Sequence, residues 1–176
     1  MFRRTCALRI LPPVLIATLG GCSDPTLATR FDACAPTEIV LPESLAPAVA
    51  SAIADGVRFW SEPLSMPWTT TAAATTGASS IPLRFIDTGL FYGRYDDLAP
   101  AIILSSGVTD PARLSIVVAH EVGHALGLYH RSPDARVSVM NPGNVNVAPN
   151  AEDLAEITAI WGACTTGARR GMLAPP

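Results

Sequence analysis

Apolar positions recur along this chain with two different periods. In "PESLAPAVASAIADGVRFWSE", Val49, Ile53, Val57 and Trp60 follow one another at spacings of four, four and three. That is the repeat of a single apolar stripe on a helix. The pattern predicts a helix entered at Ser44 as N-cap, with Pro47 tolerated in its first turn. The next stretch, "TTTAAATTGASS" at residues 69 to 80, is small and repetitive, and reads as a loop. "IPLRFIDT" then alternates and places Ile81, Leu83 and Phe85 on one face of a strand. Pro82 has no amide hydrogen to give to a ladder, so it points to an edge or entry position. "FYGRYDDLAP" reads as a turn-rich loop, and "AIILSS" as a second strand.

The clearest element is "DPARLSIVVAHEVGHALG". Asp110 is a good N-cap and Pro111 suits the first helical position. Leu114, Val117, Val118 and Ala125 supply buried faces, and Gly127 is placed to end the helix in a left-handed turn. An irregular segment runs to about residue 149. "NAEDLAEITAIWG" then predicts a last helix, capped by Asn150 and stopped by Gly162, with Leu154, Ile157, Ile160 and Trp161 facing inward. The order is helix, strands, helix, irregular segment, helix. That is an α+β domain with no internal repeat.

At 176 residues and 49% apolar content, the chain is long enough for one domain with a real core and too apolar for a disordered one. Its net charge of −3 is weakly acidic and carries no basic stripe, which argues against a nucleic-acid partner. The first stretch is expected to lie outside the fold. "MFRRTCALR" is a basic region and "ILPPVLIATLGG" an apolar one. The apolar run is shorter than the roughly 20 residues a spanning helix needs, and reads as a secretory signal over residues 1–21. Its end, "LGGC", resembles the lipobox of bacterial lipoproteins, in which the chain is cut before the cysteine and that cysteine is lipidated. By that resemblance Cys22 is the anchored N-terminus, held firmly because it carries more than one acyl chain. The alternative is a plain signal peptide with an incidental cysteine. Residues 22–35 would then be a tether, 36–165 the folded domain and 166–176 a flexible tail. Of the four cysteines, Cys6 leaves with the signal and Cys22 takes lipid. An exported remaining pair, Cys34 and Cys164, favours a disulfide over two separate buried thiols.

The whole chain has three histidines, and all of them fall in "AHEVGHALGLYHRS". Clustering of this kind points to joint action on one object. Positions four apart on a helix lie about 40° apart around its axis. His120 and His124 therefore share a face, one turn apart. Glu121 lies beside that face, able to reach a water on a metal without ligating the metal. One turn further on stand Gly127 and Leu128, which offer no ligand. A turn at Gly127 can instead bring His130 back from the loop. Three imidazoles leave a fourth tetrahedral position open, as a catalytic zinc site requires and a structural one does not.

"HEVGHALGLYH" fits H-E-x-x-H-x-x-G-x-x-H and resembles the zinc motif of the metzincin metalloproteases, most closely that of the matrixins. "SVMNP", with Met140, is similar to the Met-turn of that group. "AEDLAEITAIWG" resembles the closing helix of matrixin catalytic domains. The likeness spans roughly residues 36 to 163, with its specific part between 110 and 162. It implies a metzincin-like zincin domain and a zinc endopeptidase holding one zinc through His120, His124 and His130. It further implies Glu121 as general base, Met140 as the floor of the site and a peptide or protein substrate. "AIILSS" would be the edge strand lining the cleft, where an extended substrate adds as a further strand. "NPGNVN" would border a hydrophobic specificity pocket.

The chain departs from the pattern in places. Arg131 follows the third histidine where matrixins usually have serine. No tyrosine follows the Met-turn as a further ligand, no cysteine-switch prosegment is recognised, and no histidines remain for a second, structural zinc. Adjacent Asp96 and Asp97 raise calcium, although such a pair is more often simply solvated. The competing function is a non-catalytic, zinc-containing surface lipoprotein for binding or adhesion. Retention of Glu121 argues against it, because a purely structural site needs no base. A monomer in the bacterial cell envelope is expected. Ser23 after Cys22 differs from the aspartate retention signal of some bacteria and favours the outer membrane.

Overall fold

A computed structural model of the chain describes residues 31–164; the signal and lipidation expectations, centred on Cys22, lie outside the described residues. No described helix is long and apolar enough to cross a membrane. The elements are β1 (Thr37–Val40), α1 (Pro47–Leu64), β2 (Trp68–Thr71), β3 (Ser79–Ile86), β4 (Gly93–Asp96), β5 (Ala101–Ser105), α2 (Pro111–Ala125) and α3 (Ala151–Trp161). The five strands form one sheet in the order β2-β1-β3-β5-β4. All pairings are parallel except that of β4 with β5. The parallel β1–β2 pair requires a crossover, and α1 supplies it. The result is a mixed α+β architecture, as the order of elements in the sequence predicts.

Helices α1 and α2 pack against each other over a core that includes Ile53, Val57, Trp60, Leu114, Val118 and Val122. The close approach depends on Gly56, where a Cβ would lie 2.6 Å from both the Ser115 carbonyl oxygen and the Val118 Cβ. Buried Trp60 donates its indole N–H to the Ala119 carbonyl at 2.8 Å, so the bulky ring leaves no polar atom unpaired. Trp161 does the same from α3, reaching the Leu126 carbonyl at 2.9 Å. Phe31 and Ala33 are buried ahead of β1, so packing begins before residue 36. Cys34 and Cys164 form a disulfide with Cα atoms 5.1 Å apart and a sequence separation of 130. A loop of that size corresponds to roughly 5 kcal/mol in the chain-entropy model.

Several details differ from the sequence expectation. Ser44 does not cap α1; Ala46 does, without a side-chain hydrogen bond, because Pro47 takes the first helical position and forces the residue before it to be extended. The supposed loop 69–80 contains β2 and the start of β3, which the ladder with β1 holds in place. A strand, β1, also precedes the first helix. Pro82 lies in a central strand, not at an edge. Its register partner is Val40, the last residue of β1, and pairing with β5 begins at Leu83. The proline thus sits where one neighbour hands over to the next, and no continuous ladder is interrupted. "FYGRYDDLAP" holds β4, and this strand, not β5, is the edge. Ile160 faces solvent, whereas Ile157 is buried.

Candidate metal centre

Helix α2 begins and ends as its sequence dictates. The Asp110 carboxylate accepts from the Arg113 amide at 2.8 Å, and Pro111 follows the cap. At the other end Gly127 has φ of 98°. Its amide donates to the His124 carbonyl at 3.0 Å, and the Leu128 amide to the Gly123 carbonyl at 2.9 Å. These two bonds close a Schellman turn. The chain reverses there, and His130 returns to the face that bears His120 and His124.

The three imidazoles meet through their Nε2 atoms. His130 Nε2 lies 3.1 Å from His120 Nε2 and 3.3 Å from His124 Nε2. One ligand atom from each falls within 4.8 Å of the others, and this trio alone among the described residues groups in this way. The rear nitrogens are committed elsewhere. His120 Nδ1 is 2.7 Å from the Val139 carbonyl oxygen, and His124 Nδ1 is 2.8 Å from that of Leu128. A carbonyl can only accept, so each Nδ1 carries the proton and each Nε2 presents a lone pair. Lone pairs facing one another repel unless a cation lies between them. Tetrahedral zinc with bonds of about 2.0–2.1 Å needs nitrogens about 3.3 Å apart. The residues present therefore fit zinc.

Electrostatics agree with that arrangement. Burial lowers the His120 pKa, against the opposing pull of the Val139 carbonyl. Burial, then the neighbouring His120 charge, pushes His124 down to about 4. Both rings are thus neutral at pH 7, the form in which imidazole binds a metal. Glu121 is buried beside them. Desolvation raises its carboxyl to about 8, opposed by a hydrogen bond from the Tyr95 backbone amide of β4. A dication nearby acts in the same sense as that amide and favours the carboxylate.

Beneath the histidines runs the turn at Met140. Its thioether packs where a Cβ on Gly123 would come within 2.5 Å of the sulfur. This explains glycine at the position before His124. Asp153 of α3 is fully buried and accepts from the Ser138 hydroxyl and the Val139 amide. The carbonyl that orients His120 is thereby fixed from α3. Asp153 also closes a capping box with Asn150. Asp96 accepts from the amides of Leu98 and Ala99, both at 3.2 Å, and so shapes a turn.

A cleft of about 790 Å³ contains Glu121 and all three histidines. One wall is the edge strand and its approach, from Leu90 to Tyr95; the other includes Tyr129 and residues Pro142 to Asn144. A larger groove, about 930 Å³, shares no residue with the centre and is lined by α1, the start of α2 and Leu154. The structure brings His120, Glu121, His124, His130, Gly127 and Met140 to one place, and sets Cys34 and Cys164 together at the domain termini. Sequence reasoning missed the Val139 and Leu128 carbonyls and the Tyr95 amide, because backbone groups leave no trace in residue identity. Gly93 was also missed, although a glycine in a strand signals close approach. A Cβ there would lie 2.6 Å from both Glu121 Oε1 and Val117 Cγ1.

The Matrixin model of the M10 peptidases matches residues 66–162. No curated protein sequence matches the chain. Among solved structures, myroilysin is similar with a TM-score of 0.56 at 15% identity, covering 77% of this chain and 97% of that one. A zinc-dependent peptidase from Methanocorpusculum labreanum gives 0.48 at 11% identity, over 69% of this chain and 99% of that one. The archaemetzincin of Archaeoglobus fulgidus gives 0.47 at 15%, with the same coverages. At 15% identity the likeness to myroilysin concerns the fold alone. The family match covers more than half of the chain and every residue of the centre, and on that ground the protein belongs to the matrixin family of zinc metalloproteases.

Proposed function

We propose that the chain is an endopeptidase that cuts extended peptide segments, with Glu121 as its general base. The observation that carries this reading is the convergence of three histidine Nε2 atoms in a cleft that also contains a buried carboxylate. Zinc, if held by His120, His124 and His130, would supply Lewis acidity that makes a water easier to deprotonate near pH 7 and the scissile carbonyl more electrophilic. Glu121 takes the proton of the attacking water and delivers it to the departing amine. The Tyr95 amide holds the carboxylate in place. His120 and His124 keep their rear protons on carbonyls, so their front nitrogens remain available. The outer edge of β4 borders the cleft, where an extended substrate would add to the sheet as a further strand. Pro142, Gly143 and Asn144 border the pocket for the residue after the cut.

Replacing Glu121 with Gln tests the role of the base. Cleavage of a mixed peptide library should fall by roughly 10²- to 10⁴-fold, while zinc content stays at the wild-type level. Undiminished cleavage would remove Glu121 from the chemistry. Zinc binding with no cleavage of any peptide by the wild type would favour the non-catalytic reading.

The lipobox-like "LGGC" supports a second part of the proposal, that Cys22 anchors the mature chain in the cell envelope, in the outer membrane. Cys22→Ala should move the protein from the membrane to the soluble fraction, or block its processing. A wild-type protein that is soluble and unmodified at Cys22 contradicts the anchor.

A further inference from the structure

Arg131 is where the chain departs from the matrixin pattern, and it directly follows the third histidine. His120 and His124 are set by a helix. His130 is exposed and comes from an irregular segment, so its position depends on its chain neighbours. The backbone of Arg131 is tied on both sides: its amide donates to the Met140 carbonyl at 2.9 Å, and its carbonyl accepts from the Asn141 side-chain amide at 3.0 Å. Its guanidinium is tied as well. Nε and Nη2 both donate to Glu156 Oε2 of α3, at 3.3 and 3.0 Å.

The other oxygen of Glu156 is not idle. Oε1 lies 3.0 Å from Arg136 Nη2. Arg136 also pairs with Glu152 at 3.2 Å and with Asp153 at 3.1 Å. Its Nη2 is close enough to Asp153 and Glu156 for ion pairing, though off the line of a hydrogen bond. One carboxylate on α3 thus grips both ends of the loop 131–136. A single exposed ion pair contributes little to folding. The two arginines here share three carboxylates, and one of these is the buried Asp153 that fixes the Met140 turn.

We propose that Arg131 is a positioning residue for the third metal ligand: Glu156, braced by Arg136, holds Arg131 and through it sets His130. The inference rests on the zinc reading of the centre and deepens it. The guanidinium replaces the short-range order that a helix gives to the other two histidines. Because the contact is partly exposed to solvent, its loss should act on the metal more than on the fold.

Zinc affinity by chelator competition, together with thermal melts of the zinc-free protein, separates these effects in the wild type, Arg131→Met, Glu156→Ala and the double variant. Arg131→Met keeps the aliphatic stem and both backbone bonds. Each single change should weaken zinc binding roughly 10- to 100-fold, the range seen when groups supporting a ligand are removed. The double variant should bind no more weakly than the weaker single, because both changes break one contact. Zinc-free melts should stay close to wild type, and Arg131→Lys should recover part of the affinity. Unchanged affinity in the singles, losses that simply add, or a parallel collapse of the zinc-free melts would each overturn the proposal. A wild-type protein that binds no zinc would overturn the metal reading beneath it.

Discussion

Gly127 shows how one residue without a side chain can decide where a ligand stands. Its φ of 98° is open to glycine and costs other residues roughly 1–2 kcal/mol, with a β-branched side chain faring worst. Gly127→Val should therefore lower the melting temperature by several degrees, at about 2–4 °C per kcal/mol for a chain of this size. It should also weaken zinc binding, because His130 returns only through that turn. Wild-type melting and zinc affinity in this variant would show that the turn does not matter. At this scale the sequence was highly legible. Histidines four apart, a glycine three further on and a histidine three after that admit few geometries. The atoms that orient the imidazoles were invisible, since the carbonyls of Val139 and Leu128 resemble any other carbonyl. The Arg131–Glu156 contact was equally hidden, because it joins residues 25 apart.

Elements with strong local signals were read correctly, and elements made by their partners were not. Helix α2 carries its own cap at Asp110 and its own stop at Gly127, and α3 its capping box at Asn150 and Asp153. Strands β1, β2 and β4 are four residues each, too short for alternation to stand out. β4 reads "GRYD", with glycine and aspartate that disfavour a strand; it exists because β5 pairs with it. The family resemblance pointed to β5 as the edge, whose apolar "AIILS" is buried along its whole length. Fully buried strands sit inside sheets. The edge strand has a consequence for the base, because Gly93 brings β4 against Glu121 with no room for a methyl group. Gly93→Ala should reduce peptide cleavage by roughly 5- to 150-fold, as overpacking of about 1–3 kcal/mol displaces either the carboxylate or the strand. Zinc content should be unaffected. Full activity in Gly93→Ala would show that the strand's approach does not position Glu121.

Across the described residues, the sheet and α1 form a platform, α2 carries His120 and His124, and Glu156 of α3 contacts the segment that follows His130. The Cys34–Cys164 bridge closes the domain at its ends. The long-range order of the strands could not be read from the chain, because parallel pairing joins segments distant in sequence. The disulfide could be, because the expected signal and lipidation set Cys6 and Cys22 aside and left one pair. All of these parts converge on the three-histidine centre. Elemental analysis of the purified protein, beside His130→Ala, measures that convergence. The wild type should carry close to one zinc per chain. His130→Ala should retain a small fraction of it under the same dialysis, while its zinc-free form melts as the zinc-free wild type does. Full zinc retention in His130→Ala, or no zinc in the wild type, would contradict the three-histidine centre.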